Sequence, residues 1–124
     1  MPEKSIYVLA KFFFSNRVYS KEEGKTWFKL LNKNVQFKVT DGNPFFVKVE
    51  DGNLTFGSGD IPSADLTMET DINTYTSLFN GWTTPTSAWF EGKLKLRDIP
   101  SRQADYCWLI GLFRIGQGKY YWDI

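Results

Sequence analysis

A group of large apolar side chains in the second half of the chain is the set whose type and spacing could do something chemical. Phe79, Trp82, Trp89 and Phe90 fall close together, Leu94 and Leu96 follow on an alternating segment, and Trp108, Leu112 and Phe113 come later. Rings and branched alkyl groups neither take up nor release protons; they gain free energy by covering other apolar surface. Between the two tryptophans stand Thr83, Thr84, Thr86 and Ser87, the kind of hydroxyl set with which a pocket orients a ligand at its mouth. The chemistry on offer is noncovalent binding of something greasy.

Catalytic and metal chemistry finds little to work with. The chain has no histidine, which removes Ser-His-Asp triads, Cys-His dyads and His-ligated metal sites. Its one cysteine, Cys107, can make neither an intrachain disulfide nor a CxxC site. Set among Tyr106, Trp108 and Leu109, it reads as a buried small hydrophobe, consistent with a reducing compartment. The stretch from Asp51 to Pro62 looks like a calcium loop but puts Phe56 at the sixth position and Pro62 at the twelfth, so it reads as a hairpin turn. Asp65, Asp71 and Asp98 lie at strand and helix ends, where turns and caps place acids. Counting carboxylates leaves a paired acid/base mechanism open but does not support one. The reading is of a protein that is not an enzyme, with no catalytic residue, metal or cofactor assigned.

At 124 residues, with 42% hydrophobic and 23% charged residues, the composition is that of one globular domain over 1–124. The aromatic share of 18% is high for so small a core and calls for a cavity, an interface or an exposed patch. A net charge of +1 with no long basic run gives no reason to expect nucleic acid. Lys93, Lys95 and Arg97 read as a solvated strand face, which allows at most transient membrane contact. The apolar run Ile6 to Phe14 is broken by Lys11, is too short for a bilayer, and lacks a signal-peptide pattern. The C-terminus is not of the Ser-Lys-Leu type, and a cytoplasmic protein is the expectation.

The elements that must hold these side chains follow from periodicity. Ser5 opens a helix through about Phe14 with the stripe Ile6, Leu9, Ala10, Phe13. That stripe should cover the aromatic cluster or a twin subunit in a homodimer. A second helix starts after Ser20, which with Glu23 makes a capping box, and runs through Trp27, Phe28, Leu30 and Leu31. Alternation then predicts strands at Val35–Val39, Phe45–Glu50, Leu54–Phe56 and Ala64–Met68, joined by turns at Asp41–Pro44 and Asp51–Asn53. Two short helices follow, one opened by the acidic step Glu69 and Asp71, the other by Pro85. Gly92 turns the chain into Lys93-Leu94-Lys95-Leu96-Arg97, a strand with Leu94 and Leu96 on its covered face. A last helix begins near Ser101. This order gives an α+β fold: a five-stranded, mainly antiparallel sheet with helices on one face.

Several of these segments also resemble the sterol carrier protein type 2 family of lipid-transfer proteins. Pro85, Ala88-Trp89-Phe90 and Gly92-Lys93-Leu94-Lys95-Leu96 stand as its signature asks. Val35 to Gly42 is similar to its first strand and turn; Asp51-Gly52 and Ala64 to Met68 fit its next hairpin and fourth strand. The resemblance covers about residues 34–113. It departs at Asp98, where the family usually has glycine, and gives nothing for the first ~20 residues or the tail from Gly116. It implies an apolar tunnel between helices and sheet, lined by Phe79, Trp82, Trp89, Phe90, Leu94, Leu96, Trp108, Leu112 and Phe113. The tunnel would take a small hydrophobic ligand: a fatty acyl, sterol-like or isoprenoid lipid. A single acyl chain burying ~300 Å² gains ~7 kcal/mol gross, less the costs of association, which suits exchangeable carriage. Two other readings stay open. One is an interaction or dimerisation module of the same fold with a filled cavity, docking on a partner enzyme; the other is an enzyme using carboxylates around the cavity.

Overall fold

The computed structural model describes the backbone of residues 2–118 and the side chains of residues 6–118; the C-terminal Tyr-Trp-Asp-Ile lies outside them. The sheet is built first by its turns. Asp51 and Gly52, both at positive φ (52° and 84°), close the hairpin between β2 (Phe45–Glu50) and β3 (Asn53–Ser58), the twist that two-residue hairpins favour. β1 (Val35–Val39) pairs antiparallel with β2 and parallel with β4 (Leu66–Thr70), and β5 (Lys95–Leu96) adds antiparallel to β4. The order is β3-β2-β1-β4-β5, a mixed five-stranded sheet in an α+β fold.

Alternation puts Val35, Phe37, Phe45, Val47, Val49, Leu66 and Met68 on one buried face. Among the described residues the sheet is accompanied by the α-helices α1 (Pro2–Phe12), α2 (Glu22–Leu31), α3 (Ile72–Phe79), α4 (Pro85–Phe90) and α5 (Ile99–Gly116). A π-helical stretch, Phe13–Tyr19, continues α1. Phe13 and Phe14 point inward from it, and Phe14 contacts Phe28, Phe37, Phe79 and Phe113 at ring-centroid distances of 5.5–6.2 Å. From the N-terminal stripe, Phe13 packs against Phe79 and Phe113 of the chain's own aromatic cluster, while Trp82, Trp89 and Phe90 stay exposed.

Local expectations fail where tertiary contacts take over. α1 begins at Pro2, ahead of Ser5. The Ser20 capping box does not form: the Ser20 hydroxyl donates back to the Asn16 carbonyl, and α2 starts from Lys21 with no side-chain cap. Leu30 is exposed, and Ala64 lies outside β4 in the loop before it. Gln36, on the polar side of the β1 pattern, is buried because a loop folds over it. Its amide donates to the carbonyls of Phe45 and Gly59 and its oxygen accepts from Ile61 N–H, satisfying a group that burial alone would penalise.

A cleft between α4, β5 and α5

The segment that makes the site is fixed by caps and one tight turn. Asp71 caps α3 by accepting from Thr74 N–H, and Thr84 caps α4 by accepting from Ser87 N–H, with Pro85 in the first turn. Gly92, at φ 77°, reverses the chain, so that the N–H groups of Lys93 and Leu94 both donate to the Ala88 carbonyl. Lys93, Lys95 and Arg97 then face solvent, Leu94 is buried, and Leu96 is half-buried. The strand expected over these residues keeps its alternation, but only Lys95 and Leu96 pair with β4.

Asp98 sets the direction of α5. It holds a left-handed conformation (φ 57°) at the point where the family it resembles usually carries glycine. α5 begins at Ile99, with non-helical geometry at Arg102. One turn on, the Tyr106 hydroxyl fastens the helix to the sheet edge: it accepts from Thr67 N–H (3.1 Å) and donates to the Arg97 carbonyl (2.7 Å). Burial pushes the Tyr106 phenol above its usual range, countered by its bonds to Thr67 and Arg97.

Between these elements runs an apolar cleft of about 290 Å³. α4 contributes Thr86, Trp89 and Phe90; β5 and its exit contribute Leu96 and Ile99; α5 contributes Gln103, Tyr106, Cys107 and Ile110. Trp89 is 41% and Phe90 78% exposed, so they form its rim. Cys107, expected to be buried, is exposed and lines the cleft, because it sits on the α5 face turned toward α4 and away from the core.

Of the side chains expected along one tunnel, the structure brings Trp89, Phe90 and Leu96 together here, with Thr86 from the expected polar mouth. Phe79, Leu112 and Phe113 lie instead in the closed interior, with Phe79 and Phe113 stacked at 5.6 Å and Phe13 wedged beside both. The reason is helical angle: at about 100° per residue, Leu112 lies opposite the Cys107/Ile110 face and Phe113 roughly a quarter turn from it. Leu94 is buried near Ala88. Trp108 turns away to meet Trp27 edge-on at 4.8 Å. Trp82 is 73% exposed on the turn between α3 and α4. Thr83 lines a separate polar hollow with Asp71, Ser77 and Lys93, Thr84 is spent on the cap, and Ser87 faces solvent. Ile99, Gln103, Tyr106, Cys107 and Ile110 follow a spacing of four, three, one and three, a helical stripe that is the sequence signal for this wall.

Among the described residues, no cluster of three His, Cys, Asp or Glu could hold a metal ion, and no helix is long and apolar enough to cross a membrane. The arrangement can shelter an apolar chain.

Comparison with known proteins agrees with this architecture. The profile of the SCP-2 sterol transfer family matches residues 15–97, and the chain belongs to that family. The match begins earlier and ends sooner than the segments whose motifs resemble the family. Among solved structures, a sterol carrier protein domain of Helicoverpa armigera superposes with a TM-score of 0.71 at 18% identity, covering 94% of this chain and 87% of that one. The crystal structure of a sterol carrier protein 2 gives 0.66 at 16% identity, with 89% and 94% covered. A ubiquinone synthesis protein, UbiJ-SCP2, gives 0.65 at 17%, with 88% and 95% covered. No curated protein sequence matches the chain. Family membership makes lipid binding or transfer the general class of function.

Proposed function

We propose that the protein binds a single-chain lipid noncovalently in the cleft between α4, β5 and α5, and holds it for exchange. The observation that carries this reading is the cleft itself: about 290 Å³, with Leu96, Ile99 and Ile110 along it and Trp89 and Phe90 at its mouth. That volume stands at the small end of ligand sites, about 300–1,000 Å³, and suits an extended fatty acyl or isoprenoid chain better than a sterol nucleus. A ligand there would cover two exposed rings, which is where its binding free energy would come from. Residues 1–124 act in this role as one binding domain, without a catalytic step.

Cys107 is a native probe of the idea. A lipid lying in the cleft should slow alkylation of its thiol by a small maleimide, in a saturable way. Long-chain acids, alcohols and isoprenols that all leave the alkylation rate unchanged would sink the reading.

A second reading rests on the filled interior, where Phe13 and Phe14 leave no room beside Phe79 and Phe113. In it, Trp89 and Phe90 are a docking surface for a partner enzyme or a second copy. Native mass spectrometry separates the two: co-purifying lipid masses favour the binder, a bare dimer the docking module.

A further inference from the structure

α4 stands between two spaces. On one side lies the apolar cleft of about 290 Å³; on the other is a polar hollow of about 340 Å³, lined by Asp71, Thr74, Ser77, Thr83, Glu91 and Lys93. Pro85 and Ala88 anchor the helix in the interior, while Trp89 and Phe90 stay exposed. Its six residues are too few to hold a helix without help from the surroundings. The start of α4 therefore depends on the turn from α3, and that turn has little apolar packing of its own, since Trp82 is 73% exposed.

One side chain ties this turn to the end of α5. The Gln117 amide nitrogen donates to the Leu78 carbonyl at 2.8 Å, in the last turn of α3, and to the Thr83 carbonyl at 2.9 Å, one residue before the α4 cap. Both of its hydrogens are thereby used. A Cβ on Gly81, at φ 76°, would rest 3.7 Å from Cβ and Cγ of Gln117, so the stem also lies against the turn. Arg114, buried one turn back on α5, donates from Nη1 to Gln117 Oε1 at 2.7 Å. A guanidinium has only donors, so it faces the amide oxygen and turns the NH2 group toward the two carbonyls.

We infer that Gln117, oriented by Arg114, is the positioning residue of the cleft. By latching the α3–α4 turn to the end of α5 it fixes how far α4 stands from α5, and with it the size of guest the cleft accepts. Hydrogen bonds of this kind are exchanged for water at small net cost, unlike the buried ring contacts that hold α5 to the interior. Release of the two carbonyls leaves α4 free to shift toward the polar hollow and open the cleft. The inference rests on the binding reading for its use and deepens it by naming what controls entry; the latch itself needs no lipid.

The test compares the full chain with its Gln117→Leu and Gln117→Glu variants. Leucine removes both donors; glutamate keeps an oxygen for Arg114 but has nothing to give Leu78 and Thr83. Gln117 is half-buried at a helix end, where either change is compatible with folding. Hydrogen exchange at the Trp82 and Ala88 amides, which donate to the Ser77 and Thr84 carbonyls, should speed up about tenfold in both variants. Amides of β1 and β2 should keep their wild-type rates. Access should change in step: fluorescein maleimide should lag behind N-ethylmaleimide at Cys107 in the wild type, and the lag should shrink in both variants. Unchanged exchange at Trp82 and Ala88 overturns the latch. So does acceleration in Gln117→Leu alone, which would show that Gln117 serves Arg114 and not the turn, or equal acceleration throughout the fold, the mark of a general structural role. A lag that keeps its wild-type size in both variants overturns the control of entry. None of these readouts uses a ligand, so failure of the binding reading shows separately, as lipid chains that leave wild-type Cys107 alkylation unchanged.

Discussion

Phe13 sets its ring into the notch left by Gly116: a Cβ on Gly116 would meet the ring's Cζ at 2.3 Å. Alanine is favoured over glycine in helices by about 1 kcal/mol, so a substitution in α5 would ordinarily help. Here the clash reverses the sign. Gly116→Ala is expected to destabilise by about 1–3 kcal/mol, measured as a lower urea midpoint; an unchanged or higher midpoint would show that Phe13 moves aside freely.

The same packing makes the N-terminal segment part of the core. Phe14 is 1% exposed and touches rings from the π-helical stretch, α2, α3, α5 and β1. Phe14→Ala should cost about 3–5 kcal/mol. Deleting residues 1–19 should raise ANS binding sharply, and a truncated chain as stable as the full one would contradict the packing.

Leu94 distinguishes core from cleft. It is 2% exposed and does not line the cleft, so Leu94→Trp should overpack and lose about 1–3 kcal/mol. Lipid protection of Cys107 would persist in whatever fraction remains folded. A Leu94→Trp protein of wild-type stability that has lost lipid binding would place the binding space under α4 instead.

Two tyrosines predict how stability responds to alkali. Burial, with Glu69 adding to it, holds the Tyr75 phenol well above its usual range, and burial does the same more mildly for Tyr106. A phenol raised in the folded state contributes stability that is complete below about pH 10, where the unfolded chain's tyrosines ionise. The contribution is lost as pH climbs through the raised folded values. Stability should therefore fall above about pH 10, and Tyr75→Phe should flatten the fall. A pH profile in Tyr75→Phe as steep as wild type would mean another group is responsible.

Much of the fold was legible because it rests on short-range rules. The period of two in Lys93 to Arg97 assigns faces whether or not the whole run pairs, and Asp71 and Pro85 mark the starts of α3 and α4 by capping chemistry that acts within one turn. The parallel pairing of β1 with β4 had no local signal, since it depends on where the β2–β3 hairpin returns the chain. The candidate site was legible only in part. Counting aromatics gathered Phe79, Trp82, Trp89, Phe90 and Phe113 into one wall, but a six-residue helix cannot turn all its rings inward. The N-terminal phenylalanines, aimed by a π-helical stretch that no pattern announced, took the interior places.

α5 carries a second notch, where the Trp27 ring sits against Gly111, and the Lys21 ammonium holds the Ile115 carbonyl at 3.0 Å. Two ring-and-glycine detents five residues apart index the helix like a ratchet, since sliding by less than a full step would drive a ring into a neighbouring side chain. α4 has six residues and no comparable detent among the described residues. The two walls of the cleft are thus mechanically unequal. On the binding reading, widening to admit a guest would fall to the lighter wall, anchored by the Thr84 cap at one end and the Gly92 reversal at the other.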